Sequence, residues 1–335
     1  MSADHSAFQK MMLLACFLLF WGAFAHGQPA GSAESDLALG QLTPLHRLRV
    51  QDLTHVKSAT SCLVTAGRAG VMIWDGNTGR LVKRISLPTE PYLASLDVSS
   101  DAMLLGGGMS DGTALLWDLP SGQAVGSLAG HGGVVSRIAF SSDGQTVLTF
   151  GSLDRALKSW GVTERNPIAA SRGFSEGSEC LAFSSDGKKC LMGEATGMAR
   201  LCQTDSGRPL LALDGHKEAV VCGSLSADGT RALTGSADAT ARVWDLSKGD
   251  ESMTLCGHSG AVVACSFSPD GDLVLTGGKD KIAKLWDAAT GRQILELRGH
   301  TETLLHVGFT LDSSRAVTAG MEGVVLVWDI SKVSR

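Results

Sequence analysis

Residues 257–287 read GHSGAVVACSFSPDGDLVLTGGKDKIAKLWD, and the order of apolar runs and turn residues in this stretch decides the fold. Ala261 to Ser268 is rich in apolar residues up to Phe267 and is a predicted strand. Ser268-Pro269-Asp270-Gly271 then turns the chain, because proline presets φ and glycine accepts a positive one. Leu273 to Thr276 is a second strand, Gly277 to Asp280 a second turn, and Ile282 to Trp286 alternates as a third strand. Beyond it Ala289-Thr290-Gly291 turns again and Gln293 to Leu297 makes a fourth.

Working outward, the same order returns along the chain. Tryptophans stand at 74, 117, 160, 244, 286 and 328, with gaps of 43, 43, 84, 42 and 42. The gap of 84 is two periods; at the missing position Ala199-Arg200-Leu201-Cys202 aligns with Ala241-Arg242-Val243-Trp244, which makes seven units. Trp74, Trp117, Trp244, Trp286 and Trp328 each precede an aspartate. Gly-His pairs end at His216, His258 and His300, 28 residues before their tryptophans, and at His131, 29 before Trp160. His46 also falls 28 before Trp74, with Leu45 in place of the glycine. Turns like that of the sixth unit recur at Ser141 to Gly144, Ser184 to Gly187 and Ser226 to Gly229.

These Gly-His and Trp-Asp pairs, held in one register, resemble the WD40 repeat family over residues 36 to 335. The resemblance implies an all-β fold, a seven-bladed WD40 β-propeller of four-stranded antiparallel blades. The seventh unit ends at Arg335 without a fourth strand of its own. Residues 36 to 45 are expected to supply that strand and close the ring, which removes exposed sheet edges.

The resemblance also implies a buried hydrogen-bond chain of histidine, hydroxyl, carboxylate and indole within a blade. By position the third unit offers His131, Ser152, Asp154 and Trp160, and the fifth His216, Ser236, Asp238 and Trp244. The other units depart from this pattern. Gly278 replaces the serine beside Asp280, Glu322 replaces the aspartate of unit seven, and Arg68 and Thr196 stand at corresponding positions of units one and four. Unit two keeps Asp111 but has Thr89 for the histidine, so units one, two and four are expected to be looser. A Ser-His-Asp set repeated in several blades serves structure rather than catalysis. HExxH, CxxC, GxSxG and phosphate-loop motifs are missing. Gly106-Gly107-Gly108 has no following helix and is expected to serve close strand packing. His26, His55 and His306 lack ligand spacing, so no metal site and no cofactor are expected.

Composition narrows the partners. With 29 Lys+Arg against 34 Asp+Glu the net charge is -5, which disfavours a grip on nucleic acid or an anionic membrane. Met11 to Ala25 is a run of fifteen residues, too short to span a bilayer comfortably but long enough for a secretory h-region, and Ala23-Phe24-Ala25 supplies small residues at a cleavage site. Residues 1–25 are therefore expected to be a signal peptide and 26–35 a short leader, which makes the protein exported, periplasmic or extracellular, with no membrane span after cleavage. The alternatives are an uncleaved anchor and, for a misread leader, the cytoplasm. Seven cysteines follow Ala25, an odd number in apolar segments, expected to be buried thiols; Cys180 and Cys190, on two arms of one hairpin, are the candidate disulfide.

With catalysis unsupported, surface remains, and the expected function is a non-enzymatic scaffold for a protein or peptide, in a monomeric propeller. The resemblance implies a binding face built from residues after each Gly-His and just before each turn carboxylate. Here these are Arg47, Arg49, Glu90, Tyr92, Glu176, Lys217, Glu218, Thr301 and Glu302, with Lys279 and Met321 from the second set. Tyr92, Arg47 and Arg49 are the anchors that hot-spot chemistry favours. The alternative is a propeller hydrolase or lyase with a small-ligand site at the central channel.

Overall fold

The computed structural model describes residues 42–58, 62–67, 70–87, 90–171, 174 and 179–333, leaving the leader, Arg68, Thr89 and Glu176 outside the described residues. Short alternating runs broken by Gly and Asp give strands, and the described residues contain no helix, hence none able to cross a membrane. The strands form seven four-stranded antiparallel sheets arranged as a β-propeller. Blade six is representative: Val262–Phe267, Leu273–Gly278, Ala283–Asp287 and Gln293–Leu297 pair in that order. The first strands of successive blades touch, and Leu304–Phe309 of blade seven meets Leu53–Ser58 of blade one, so the first strands form the innermost ring.

Ring closure uses the N-terminal segment, but at a different place from the one expected. The fourth strand of blade seven is His46–Arg49, which pairs with Val324–Asp329 through His46 opposite Val327 and Arg49 opposite Val324. Of the expected closing segment, the described residues 42–45 form no strand. His46 is therefore not a loop histidine. The place of one belongs to Val50: its N–H donates to the Gly323 carbonyl at 2.8 Å, as that of His131 does to Gly112. The loop here is short, and counting a fixed spacing back from Trp74 overshot it.

Packing follows from the radial arrangement. The described apolar core falls into seven clusters, each spanning one junction between neighbouring blades. The closing strand joins in, with Leu48 and Val50 packed among Val56, Val317 and Val325. In every blade a bulge interrupts the pairing of the first two strands, as between Val262 and Ala264, and such bulges add the local twist that lets flat strands fan around an axis. The Gly106 to Gly108 run does serve close packing. A Cβ on Gly107 would lie 2.5 Å from Leu93 and 2.9 Å from Trp117.

The turns between first and second strands define one face. In blades two to seven a hydroxyl caps an aspartate, for example Ser141 to Asp143 at 2.6 Å and Ser226 to Asp228 at 2.5 Å, and glycines such as Gly144, with φ +68°, complete the bend. Adjacent turns are bonded to each other: Ser100 donates to the Ser142 carbonyl, the Ser142 N–H to the Ser185 carbonyl, and Ser185 to the Ala227 carbonyl. Much of the polar capacity of that face is spent between blades.

Candidate functional site

The opposite face is built from the loops that carry the histidines and from the turns between second and third strands. Four blades form these loops in one way. In blade three His131 Nδ1 lies 3.0 Å from Asp154 Oδ2, its Nε2 lies 2.8 Å from Thr149 Oγ1, and Trp160 Nε1 donates to the same Thr149 oxygen at 2.8 Å. Blade five repeats this with His216, Asp238, Thr234 and Trp244, blade six with His258, Asp280, Thr276 and Trp286, and blade seven with His300, Glu322, Thr318 and Trp328. The network assigns the proton: Nδ1–H donates to the carboxylate, Nε2 accepts the threonine hydroxyl, and the threonine oxygen accepts the indole N–H. Burial lowers the affinity of each ring for a second proton, against the pull of its carboxylate, so the histidines are held neutral.

The hydroxyl in this chain is thus a threonine in the second strand, not the serine expected from the turn. Ser152 and Ser236 bond backbone instead, at 3.5 Å to the Val134 carbonyl and 2.9 Å to that of Glu218. Blades six and seven, whose turns depart from the expected pattern, also form complete chains. Gly278 is no defect, since a Cβ there would lie 2.4 Å from Asp280 Oδ1 and 2.6 Å from His258 Nδ1. Glu322 takes the aspartate's place at 2.5 Å from His300, although its longer chain leaves Oε2 buried without a partner. Blade one keeps Thr65 bonded to Trp74 at 2.8 Å but has Val50 where the histidine belongs. The threonine column is occupied by Gly107 in blade two and by Met192 in blade four, where Cys202 replaces the indole. A threonine nine to eleven residues before each of five tryptophans was the available sequence signal.

These bonds set the face. The aspartates also accept the backbone N–H of the residue after each histidine: Gly132 at 3.1 Å, Lys217 at 3.0 Å and Ser259 at 3.1 Å. With its backbone fixed inward, each such residue is exposed, and so is Thr301 in blade seven. Bonds from Thr240, Lys217 and His216 outweigh burial and hold the Asp238 carboxyl well below the usual carboxylate range. Of the expected binding residues, Glu90, Lys217, Glu218, Lys279, Thr301 and Glu302 are exposed, while Tyr92 and Met321 are half-buried. Arg47 and Arg49 are exposed on the closing strand rather than in a loop, because that strand begins at His46. Sequence reasoning passed over Leu153, which stands 67% exposed just before Asp154.

The innermost ring gathers polar groups that the sequence left unassigned. Nearly all bridge blades. His55 Nε2 lies 2.9 Å from the Ala94 carbonyl, Ser95 donates to the Val135 carbonyl at 2.8 Å, and Lys57 pairs with Asp97 at 2.9 Å. Asp97 also accepts the Phe140 N–H, and Ser136 donates to Glu179 at 3.2 Å. Burial pushes the Glu179 carboxyl up and lowers His55 to about 4 and His306 to about 3, the latter with help from Lys57, His55 and Arg137. A cavity of about 180 Å³ opens here, lined by Lys57, Ser58, Ser266, Phe267 and His306. Among the described residues no three His, Cys, Asp or Glu converge as a metal-binding group.

The candidate disulfide is not supported by the register. Cys180 lies opposite Met192 and Cys190 opposite Phe183, and Cys190 has Cys202 as its partner across the next ladder.

The WD domain, G-beta repeat family model matches residues 122–161, 207–245, 249–287 and 291–329. Each match contains one complete set of histidine, threonine, carboxylate and tryptophan. Among curated proteins the chain is 31% identical over 145 residues to Transducin beta-like protein 3 of Rattus norvegicus, covering 42% of this chain and 17% of that one. It is 33% identical over 87 residues to WD repeat and SOCS box-containing protein 1 of Xenopus tropicalis, covering 26% and 21%. To Pre-mRNA-processing factor 17 of Homo sapiens it is 28% identical over 116 residues, covering 34% and 20%. The chain spans about a fifth of the length of these relatives. Family model and hydrogen-bond chains select the same four blades of a seven-bladed propeller, and on that agreement this chain carries WD40 repeats.

Proposed function

We propose that the protein is a non-enzymatic scaffold that binds a protein or peptide on the face carrying the histidine loops. The observation that supports this is the contrast between the two faces. On one, turn side chains are tied to neighbouring blades; on the other, the carboxylates fix the loop backbones and leave Lys217, Glu218, Lys279 and Glu302 free to point outward. A rigid platform with unspent, mixed-charge side chains suits recognition, since little conformational entropy is lost on binding. The relatives named as a WD repeat and SOCS box-containing protein and a pre-mRNA-processing factor fit interaction work. Catalysis at the channel is disfavoured because its carboxylates and His55 are engaged in bonds between blades.

The Met11 to Ala25 run with its small-residue end favours export after cleavage, and the net charge of -5 favours a partner other than nucleic acid. Affinity capture with the chain from His26 onward, from exported and cytoplasmic fractions, tests both points. The expected outcome is one protein retained from the exported fraction, lost with Lys217→Glu plus Lys279→Glu and kept with Lys188→Glu on the other face. Equal retention by all three chains would reject the face, and retention from the cytoplasmic fraction alone would reject export.

A further inference from the structure

Cys222 and Cys265 lie on the innermost strands of neighbouring blades, Val220–Leu225 and Val262–Phe267, with their sulfur atoms 3.4 Å apart. We propose that these two residues form a modification site, a dithiol that a disulfide of the glutathione class oxidises to a bond stapling blade five to blade six. Three observations point to it. The sulfurs need close by only about 1.4 Å to reach a bonded separation. Each thiol has the other as a neighbour, whereas the remaining contact of Cys222, to the Val262 carbonyl, is long at 3.6 Å. In blade two the corresponding slot is filled by Ser95, whose hydroxyl bridges to the Val135 carbonyl at 2.8 Å, so a hydroxyl serves this bridge better than a thiol does. The two cysteines are 43 positions apart, one repeat, so the bond would close a loop of about one blade.

The step balances by thiol–disulfide exchange. One cysteine thiolate attacks glutathione disulfide, forming a mixed disulfide and releasing one glutathione thiolate. The second cysteine sulfur attacks the protein sulfur of that mixed disulfide, the Sγ–Sγ bond forms, and the second glutathione leaves. Both cysteine protons end on the two glutathiones, the cysteine sulfurs are oxidised, and glutathione disulfide is reduced. Burial pushes the Cys265 thiol well up, with Cys222 adding to the effect, so exchange in the folded propeller is slow and oxidation belongs to folding.

The test is to refold the purified full chain from urea in oxidised and reduced glutathione, quench with acid and N-ethylmaleimide, and map peptides by mass spectrometry. The expected result is a linked peptide pair joining Cys222 to Cys265, reversed by dithiothreitol, and an unfolding midpoint raised by about 5 °C in the oxidised chain. That rise should vanish in Cys222→Ser and in Cys265→Ala, the second variant serving if the first fails to fold. N-ethylmaleimide or glutathione on both residues of a chain with native tryptophan fluorescence would overturn the proposal, as would a bond from either to another cysteine.

Discussion

The hydroxyl at the centre of the blade-three bond chain belongs to Thr149 and not to Ser152. In blade three Thr149 Oγ1 receives the indole N–H and faces His131 Nε2, both at 2.8 Å, while Ser152 touches only the Val134 carbonyl at 3.5 Å. Replacing Thr149 with valine keeps the shape but leaves two buried ring nitrogens unsatisfied, so Thr149→Val should cost about 2 to 4 kcal/mol. Ser152→Ala gives up one long bond and should cost about 0.5 kcal/mol or less. Urea unfolding of the two variants measures this, and equal losses would return the serine to the network. His131, Asp154 and Trp160 were legible because the Gly-His pair, the turn position and the tryptophan spacing repeat along the chain. Thr149 was not, because it sits inside the run Thr146-Val147-Leu148-Thr149-Phe150, where a β-branched residue reads as strand filling.

Strands and turns were the most legible level. The sixth unit's four strands lie within a residue or two of where apolar runs and turns put them, since period and turn chemistry agree there. The closing strand was misplaced because it has neither aid. His46–Arg49 is four residues long, carries two arginines and one apolar residue, and is followed by a shortened loop. Its one buried side chain is Leu48, 6% exposed among Val317, Val325 and Val327. Leu48→Ala should therefore destabilise the ring by about 2 to 4 kcal/mol, and Leu45→Ala, at a position 47% exposed, by less than about 0.5 kcal/mol. Thermal unfolding distinguishes them; the reverse order would place the closing contact before His46, as the sequence had suggested. The same shift explains why Arg47 and Arg49 belong to the outer strand and not to the binding loops.

At the scale of the whole ring, its histidines make stability depend on acid. His131, His216, His258 and His300 in the loops, and His55 and His306 in the inner ring, are all less easily protonated folded than unfolded. The unfolded chain then binds more protons below its histidine pKa of about 6.5, so stability is full above that value and falls as pH drops towards the folded values. For His55 and His306 those values are about 4 and about 3. The rings face a partly open channel, which reduces their effect to about 1 kcal/mol each by pH 5. The turn aspartates act in the same direction only below pH 4, because hydrogen bonds hold them low. Glu179 opposes, since burial raises its carboxyl and its protonation relieves the fold, but it is one group against six. The unfolding midpoint should therefore decline steadily from pH 7 to pH 5, and His55→Gln with His306→Gln should flatten the decline even if it lowers the midpoint at pH 7. A midpoint constant across that range would mean that the rings are charged in the folded propeller, which the proton assignment Nδ1–H to carboxylate and Nε2 to threonine forbids in four blades at once.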